Sequence, residues 1–183
     1  MNFSYHFPAV KGIQAGREYY ISMVPLKLLS RLFPAEEEIV LPEYRAQRRI
    51  NEARIPEIKN YILDNRDTYV FSALSASIDG EFKFTPYMDT DAGIFEVDMG
   101  SIFLINDGQH RKAAIEAAMK EDPSLEKETI SIVFFSDEGL ARSQQMFTDL
   151  NKHAVKTSNS LATLYDSRDE IAVATKHVID AIP

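Results

Sequence analysis

Cysteine and tryptophan are both absent from the 183-residue sequence. Without cysteine the chain has no disulfide, no thiolate metal ligand and no cysteine nucleophile. Apolar runs last only a few residues, which argues against a membrane-spanning helix, and the first residues lack the basic and apolar segments of a secretory signal. Seven glycines and eight prolines are too few for a collagen-like or low-complexity chain. We therefore expect a globular cytoplasmic protein with no membrane partner.

Positive charge is also in deficit. Twenty Lys and Arg against 28 Asp and Glu give a net charge of −8, whereas proteins that coat DNA are usually basic because they neutralise phosphates. The basic residues are clustered, and one short stretch holds Arg45, Arg48, Arg49, Arg54 and Lys59. Any contact with nucleic acid must therefore be local to a basic face of an acidic protein.

The pattern of apolar residues predicts a mixed α and β fold around one core. Strands are predicted at 19–24, 68–78, 82–84, 94–99, 101–106 and 129–135, and helices at 43–51, 56–65, 111–120, 137–151 and 160–182. The run at 101–106 is almost continuously hydrophobic, which is typical of a central strand covered on both faces. The fold class is thus α/β in the broad sense, a mixed α+β sheet with flanking helices.

Three segments are predicted. Residues 1–40 form a strand and helix segment packed on the core, residues 41–159 form the core, and residues 160–183 form a C-terminal helical region. The last helix carries apolar residues up to the end of the sequence, and exposed apolar stripes usually pack on something. We therefore expect this chain to be the N-terminal part of a longer protein, with the last helix leading into a further domain.

The most informative stretch is Asp107-Gly108-Gln109-His110-Arg111, where a buried strand runs into a helix. Glycine can adopt backbone angles barred to other residues and leaves space for a ligand, and the first helical amides are unpaired, so such turns bind anions. Here Arg111 could clamp a phosphate, His110 could donate a hydrogen bond or move a proton, and Asp107 could orient His110 or hold a metal. Alternatively, Asp107 caps the helix and Arg111 pairs with a neighbouring acid. The spacing alone leaves both interpretations open.

Two other polar groups have a functional and a structural interpretation. Lys152, Lys156 and Ser158 follow the helix at 137–151 and are phosphate-contacting types, but they also suit a solvated loop before a helix capped by Ser160. The arginines Arg45, Arg48, Arg49 and Arg54 form either a DNA-binding face or a solvated helix face. No P-loop, dinucleotide-binding or zinc-protease motif occurs, which disfavours those enzyme classes.

Four segments together resemble a known family. INDGQHRKAAIEAA resembles the signature of DGQHR-domain proteins. With QRRINEARIPEIKNYIL, YVFSALSASI and QMFTDLNKHAVKTSNSLATLYD, the chain is similar to the DndB family of bacterial DNA phosphorothioation systems over residues 44–166. The resemblance implies a ParB/sulfiredoxin-like fold in which the turn Gly108-Gln109-His110-Arg111 holds the phosphates of a nucleotide or nucleic acid.

The resemblance also implies a function. A DndB-like protein is a DNA-binding repressor of the modification genes, and its partners are the double-stranded promoter DNA and other phosphorothioation proteins. Sulfur-relay chemistry needs a reactive cysteine, which this chain lacks. The alternative function is a nucleotide-dependent ATPase or nicking nuclease that uses ATP and Mg²⁺, with Asp107 and His110 as catalytic residues. A third is a protein-interaction module. Because the net charge is −8, we expect a homo-oligomer to supply further DNA contacts.

Overall fold

The structure is a computed structural model that describes residues 3–34, 51–136, 149 and 170–181. The chain divides into two compact units, Met1–Leu150 and Asn151–Pro183. In the first unit the strands are β1 (Ser4–Gln14), β2 (Arg17–Pro25), β3 (Leu74–Asp79), β4 (Phe82–Pro86), β5 (Ala92–Asp98), β6 (Ile102–Asp107) and β7 (Thr129–Ser136). Its helices are α1 (Leu29–Leu32), α2 (Arg54–Asp64) and α3 (Gln109–Glu121), with 3-10 turns at Leu26–Leu28 and Pro123–Lys127. Helix α4 (Glu170–Ala181) belongs to the second unit.

The seven strands form one mixed sheet in the order β4-β5-β1-β2-β7-β3-β6. Strands β3 and β7 are parallel, and the other neighbouring pairs are antiparallel. A two-residue turn with positive φ at Ala15 and Gly16 joins β1 to β2, and that geometry matches the twist of a hairpin. The predicted mixed α+β class is confirmed.

The core lies on one face of this sheet. Tyr20 of β2, Phe95 of β5 and Phe134 of β7 are at most 4% exposed and pack together. The rings of Tyr20 and Phe95 are stacked with centroids 4.4 Å apart, and Phe134 lies tilted against Phe95 with centroids 5.8 Å apart. Ile62 of α2 and Ile115 of α3 belong to the same buried cluster. Burial of this face fixes the register, since a shift by one residue would turn its side chains to the opposite face.

Two predictions about strands are wrong. The run at 101–106 corresponds to β6, which lies at the end of the sheet rather than at its centre. Phe103, Ile105 and Asn106 are nonetheless buried, because burial of a strand does not require a neighbour along both of its edges. The strand predicted from residue 68 begins only at Leu74. Before it, the Val70 amide donates to the Tyr61 hydroxyl, and the carbonyls of Ser72 and Ala73 accept from Arg111.

Strands β2, β4, β5 and β7 fall where they are predicted, whereas no strand is predicted at the position of β1. Helices α2 and α3 correspond to the predictions at 56–65 and 111–120, and α4 falls within 160–182. The predicted helices at 43–51 and 137–151 lie in segments that the structure does not describe, apart from Asp149 and Asn51. The boundaries at 40 and 160 stay predictions, as does the ParB/sulfiredoxin-like relation. None of the described helices is long and apolar enough to span a membrane.

Candidate phosphate-binding turn

Gly108 joins β6 to α3 in a conformation that favours glycine. Its φ is +107°, and it occupies the N-cap position of α3. A Cβ at this position would lie 2.4 Å from Cδ2 of Leu74, which is far inside van der Waals contact. Both the backbone angle and the packing therefore require the glycine that the sequence provides.

The first turn of α3 has no side-chain cap within the described residues. The first helical hydrogen bond of α3 is donated by the Lys112 amide to the Gly108 carbonyl at 2.9 Å. The amides of residues 109–111 precede it and therefore point out of the helix end. The first turn of α3 contains no acidic residue. This is the local arrangement in which a helix N-terminus attracts an anion.

Arg111 turns back onto the protein. Its Nη1 donates to the carbonyl of Ser72 at 2.6 Å, to the hydroxyl of Ser72 at 2.6 Å and to the carbonyl of Ala73 at 3.0 Å. Its Nη2 donates to Oδ2 of Asp107 at 2.7 Å. Asp107 thus pairs with Arg111 one helical turn away instead of capping α3. Arg111 fixes the turn to the start of β3, and a phosphate would compete with these acceptors for its terminal nitrogens.

Gln109 also bonds to its own surroundings. Its Nε2 donates to the carbonyl of Ile105 at 2.9 Å, which ties the first residue of α3 to β6. The side chain holds the strand and the helix in their relative positions. The backbone amide of Gln109 is one of the first amides of α3, which have no partner within the helix.

His110 connects α3 to the segment before α2. Its Nε2 accepts a hydrogen bond from the backbone amide of Asn51 at 3.0 Å. Burial lowers the pKa of His110, the positive charge of Arg54 lowers it further, and Asp107 acts in the opposite direction. His110 is therefore neutral at pH 7, and because Nε2 accepts, the proton is on Nδ1.

Of the predicted site residues, the structure brings together Arg54 and the turn formed by residues 107–111. Arg54 is exposed at the start of α2 and acts electrostatically on His110. Arg45, Arg48, Arg49, Lys152, Lys156 and Ser158 lie outside the described residues. Their predicted contacts with DNA or phosphate stay predictions.

Asp107 is the predicted metal ligand, and the described residues around it do not fit a Mg²⁺ site. Within the described part of the chain, no group of three or more His, Asp or Glu side chains could hold a metal ion. One carboxylate oxygen of Asp107 already accepts from Arg111. Mg²⁺ prefers several oxygen ligands in octahedral geometry, so we derive no chemical step through a metal.

Ser72, Ala73 and Asn51 are parts of this site that the sequence did not point to. They contact Arg111 or His110 from 38 to 59 residues away along the chain. Two of these contacts use backbone carbonyls and one a backbone amide, which every residue except proline supplies in full. Only the Ser72 hydroxyl, which also accepts from Arg111, depends on residue type, and a single serine does not mark a site in the sequence.

Comparison with known proteins gives one finding about the whole chain. The family model DndB, described as DNA-sulfur modification-associated, matches residues 7–183. No curated protein and no solved structure matches the chain significantly.

Proposed function

Because the chain belongs to the DndB family, associated with DNA sulfur modification, we propose that it is a DNA-binding regulator that represses the genes of the modification system. The family match over residues 7–183 is the observation that carries this proposal. Repression rests on the family resemblance alone, whereas DNA contact is also supported by the turn and the clustered arginines. We place this function in the cytoplasm, where the promoter DNA is.

The turn supports phosphate binding through its backbone. A phosphate at the N-terminus of α3 would accept from the amides that precede the helical ladder, and the helix dipole would favour its charge. Gly108 permits close approach because it has no side chain. In this proposal Gln109, His110 and Arg111 contribute amides, while the Arg111 side chain holds the turn in shape through Asp107, Ser72 and Ala73.

The arginines support contact with the DNA backbone. Arg54 is exposed and acts electrostatically on His110, so one arginine of the basic stretch lies near the turn. Lysines and arginines that neutralise phosphates bind all sequences alike and release counterions. We assign Lys152, Lys156 and Ser158 to further phosphate contacts on the strength of their residue types.

The test is binding to labelled promoter DNA across a salt series, with and without ATP and Mg²⁺. Wild type should shift promoter DNA without nucleotide, and Arg48→Ala with Arg49→Ala should weaken binding to all sequences and lower the salt slope by about one unit per lost contact. Arg17→Ala with Arg31→Ala removes the same charge outside the basic stretch and serves as the control. Equal slopes for the two double variants would contradict the assignment.

An ATPase or nicking nuclease is the alternative, and neutral His110 near Asp107 is the observation that favours it. A proton-moving residue acts in the transition state, so His110→Ala would abolish turnover while leaving nucleotide affinity nearly unchanged. Against it, Nε2 of His110 is already occupied by the Asn51 amide. Phosphate release from ATP with Mg²⁺ or Mn²⁺ decides the matter: turnover faster than roughly 1 per second, the low end for ordinary enzymes, would make the protein an enzyme first.

The net charge of −8 bears on the partners. One acidic chain makes few favourable long-range contacts with DNA, so we propose that the repressor acts as a homo-oligomer and contacts other proteins of the modification system. Light scattering of the purified protein at the concentration used for DNA binding gives its oligomeric state. A monomer at that concentration would contradict this part of the proposal.

A further inference from the structure

A cavity of about 440 Å³ lies away from the turn, between the segment after α2 and the start of β7. We call it the Arg66 pocket. Its apolar floor includes Leu26 and Ile115, which are at most 2% exposed, and its rim includes Val70, which is 72% exposed. Its volume is within the range of small-molecule sites. Nothing in the proposed function uses this cavity.

The charged groups of the pocket are largely neutralised by one another. Arg66 lies 2.7 Å through Nε from Oδ2 of Asp122 and 2.8 Å through Nη2 from Oε1 of Glu128. The Tyr69 hydroxyl donates to the other oxygen of Glu128. Arg66 therefore has no spare positive charge to offer a phosphate, and the lining, with Asp67 and Glu128 against Arg66, is net negative.

Two polar features of the pocket are open to a ligand, because Nη1 of Arg66, although it has no acceptor within the described residues, is buried and does not face the cavity. Asp67, on the lining, is exposed and can accept hydrogen bonds. The hydroxyls of Thr129 and Ser131 can donate or accept.

We propose that the Arg66 pocket binds a nucleobase. A base is planar and largely apolar on its faces, which suits the floor and the aromatic rings of Tyr69 and Phe71. Its edge places a carbonyl or ring nitrogen acceptor beside an N–H donor, which complements the carboxylate of Asp67 and the two hydroxyls of Thr129 and Ser131. A base carries no charge at pH 7, so the net negative lining does not repel it. This inference goes beyond the proposed function, because it requires neither DNA binding nor the turn.

The base has two sources, a free nucleotide or a base exposed in single-stranded DNA. Nucleosides test the pocket itself because they lack phosphate. We would titrate the full chain with adenosine, guanosine, cytidine and thymidine by ligand-observed NMR, and then compare the matching mononucleotides and short single-stranded oligonucleotides. Stronger binding of the mononucleotide identifies a free nucleotide, and stronger binding of the oligonucleotide identifies DNA.

Asp67→Asn tests the pocket against a matched control. It should weaken binding of the preferred nucleoside about tenfold, the size of one lost charge-assisted hydrogen bond. Asp64→Asn makes the same change at another exposed residue, on α2 and outside the pocket lining, and should leave binding unchanged. Thr129→Val keeps the side-chain volume and should also weaken binding, which covers the case in which Asp67→Asn fails to fold.

Three results would overturn the inference. They are the absence of binding by all four nucleosides, equal effects of Asp67→Asn and Asp64→Asn, and tighter binding of arginine amide or lysine amide than of any nucleoside. The last would make the pocket a site for a cationic side chain. Nucleosides carry no phosphate, so their binding does not depend on the turn, and failure of the pocket and failure of the phosphate-binding turn are separable.

Discussion

Arg111 shows how one side chain can hold a turn in shape. Its two terminal nitrogens contact Ser72, Ala73 and Asp107. Lysine has one nitrogen and no planar fork, so Arg111→Lys cannot reproduce this set of contacts. We expect a loss of about 2 kcal/mol in the free energy of unfolding, measured by urea denaturation. Arg31→Lys, on the exposed side of α1, should change it by less than about 0.5 kcal/mol. Equal values would show that Arg111 is free for a ligand.

Gly108 provides a second prediction at this scale. Gly108→Ala places a methyl group 2.4 Å from Leu74 at φ +107°, so backbone strain and overpacking add. We expect a loss of about 2–4 kcal/mol in the free energy of unfolding. Gly16→Ala is the matched control, because Gly16 also has a positive φ but no heavy atom within 4 Å of the added Cβ. Its cost should be about 1 kcal/mol. Similar values for both variants would show that the contact with Leu74 relaxes.

His110 makes stability depend on pH. Its pKa is lowered in the folded chain, so the unfolded chain binds the proton more readily. The stabilisation is therefore present above pH 6.5 and is lost as the pH falls through the lowered pKa. Protonation would also break the hydrogen bond from the Asn51 amide. His110→Gln should reduce the drop in Tm between pH 8 and pH 5, whereas His6→Gln, at a 57% exposed side chain, should not.

The residues of the turn could be predicted in part from the sequence. A glycine between a buried strand and a helix indicated the positive φ, and that is what Gly108 has. The roles of Arg111 and His110 could not be predicted, because their partners come from residues 51, 72 and 73. Residue types mark candidate chemistry, whereas the partners depend on how distant segments pack.

At the scale of elements, a polar network joins the segment after α2 to the second 3-10 turn and β7. Arg66 contacts Asp122 and Glu128, and Tyr69 donates to Glu128. Burial, with the hydrogen bond to Glu128, raises the pKa of Tyr69 to about 12. Because the pKa of Tyr69 is higher in the folded chain than in the unfolded chain, where it is near 10, the neutral hydroxyl stabilises the fold at pH values below 10. This stabilisation is lost as the pH rises towards the folded pKa of about 12.

The loss of stability as Tyr69 ionises leads to a prediction about alkaline unfolding. Tyr69→Phe should reduce the fall in Tm between pH 9 and pH 11.5, because the ionising hydroxyl is gone. Tyr87→Phe is the control, since Tyr87 is 67% exposed. If both variants follow the wild-type curve, Tyr69 does not contribute to alkaline unfolding.

Element types were easier to predict than element neighbours. Alternation along β5 and the alanine-rich composition of α3 correspond to local periodicities, and both elements lie where they were predicted. The edge position of β6 is a property of the sheet order, which no local pattern encodes. The predicted strand starts too early, at residue 68, because the backbone groups of this segment form hydrogen bonds with the side chains of Tyr61 and Arg111 and not with a neighbouring strand.

At the scale of the whole molecule, the order of strands in the sheet differs from their order along the chain. Strand β7 is the last strand of the sheet in sequence, yet it lies between β2 and β3. It is the parallel neighbour of β3 and the antiparallel neighbour of β2. Without β7, the described strands fall into two groups, β4-β5-β1-β2 and β3-β6.

This arrangement has a consequence during translation. A nascent chain cannot join the two groups until residues 129–136 have left the ribosome, and until then β2 and β3 each lack one neighbour. Unpaired strand edges are templates for aggregation, so the newly made chain is vulnerable until β7 has emerged. Stalled nascent chains should become protease-resistant only after β7 has emerged, and chaperones that shield strand edges should act before that point.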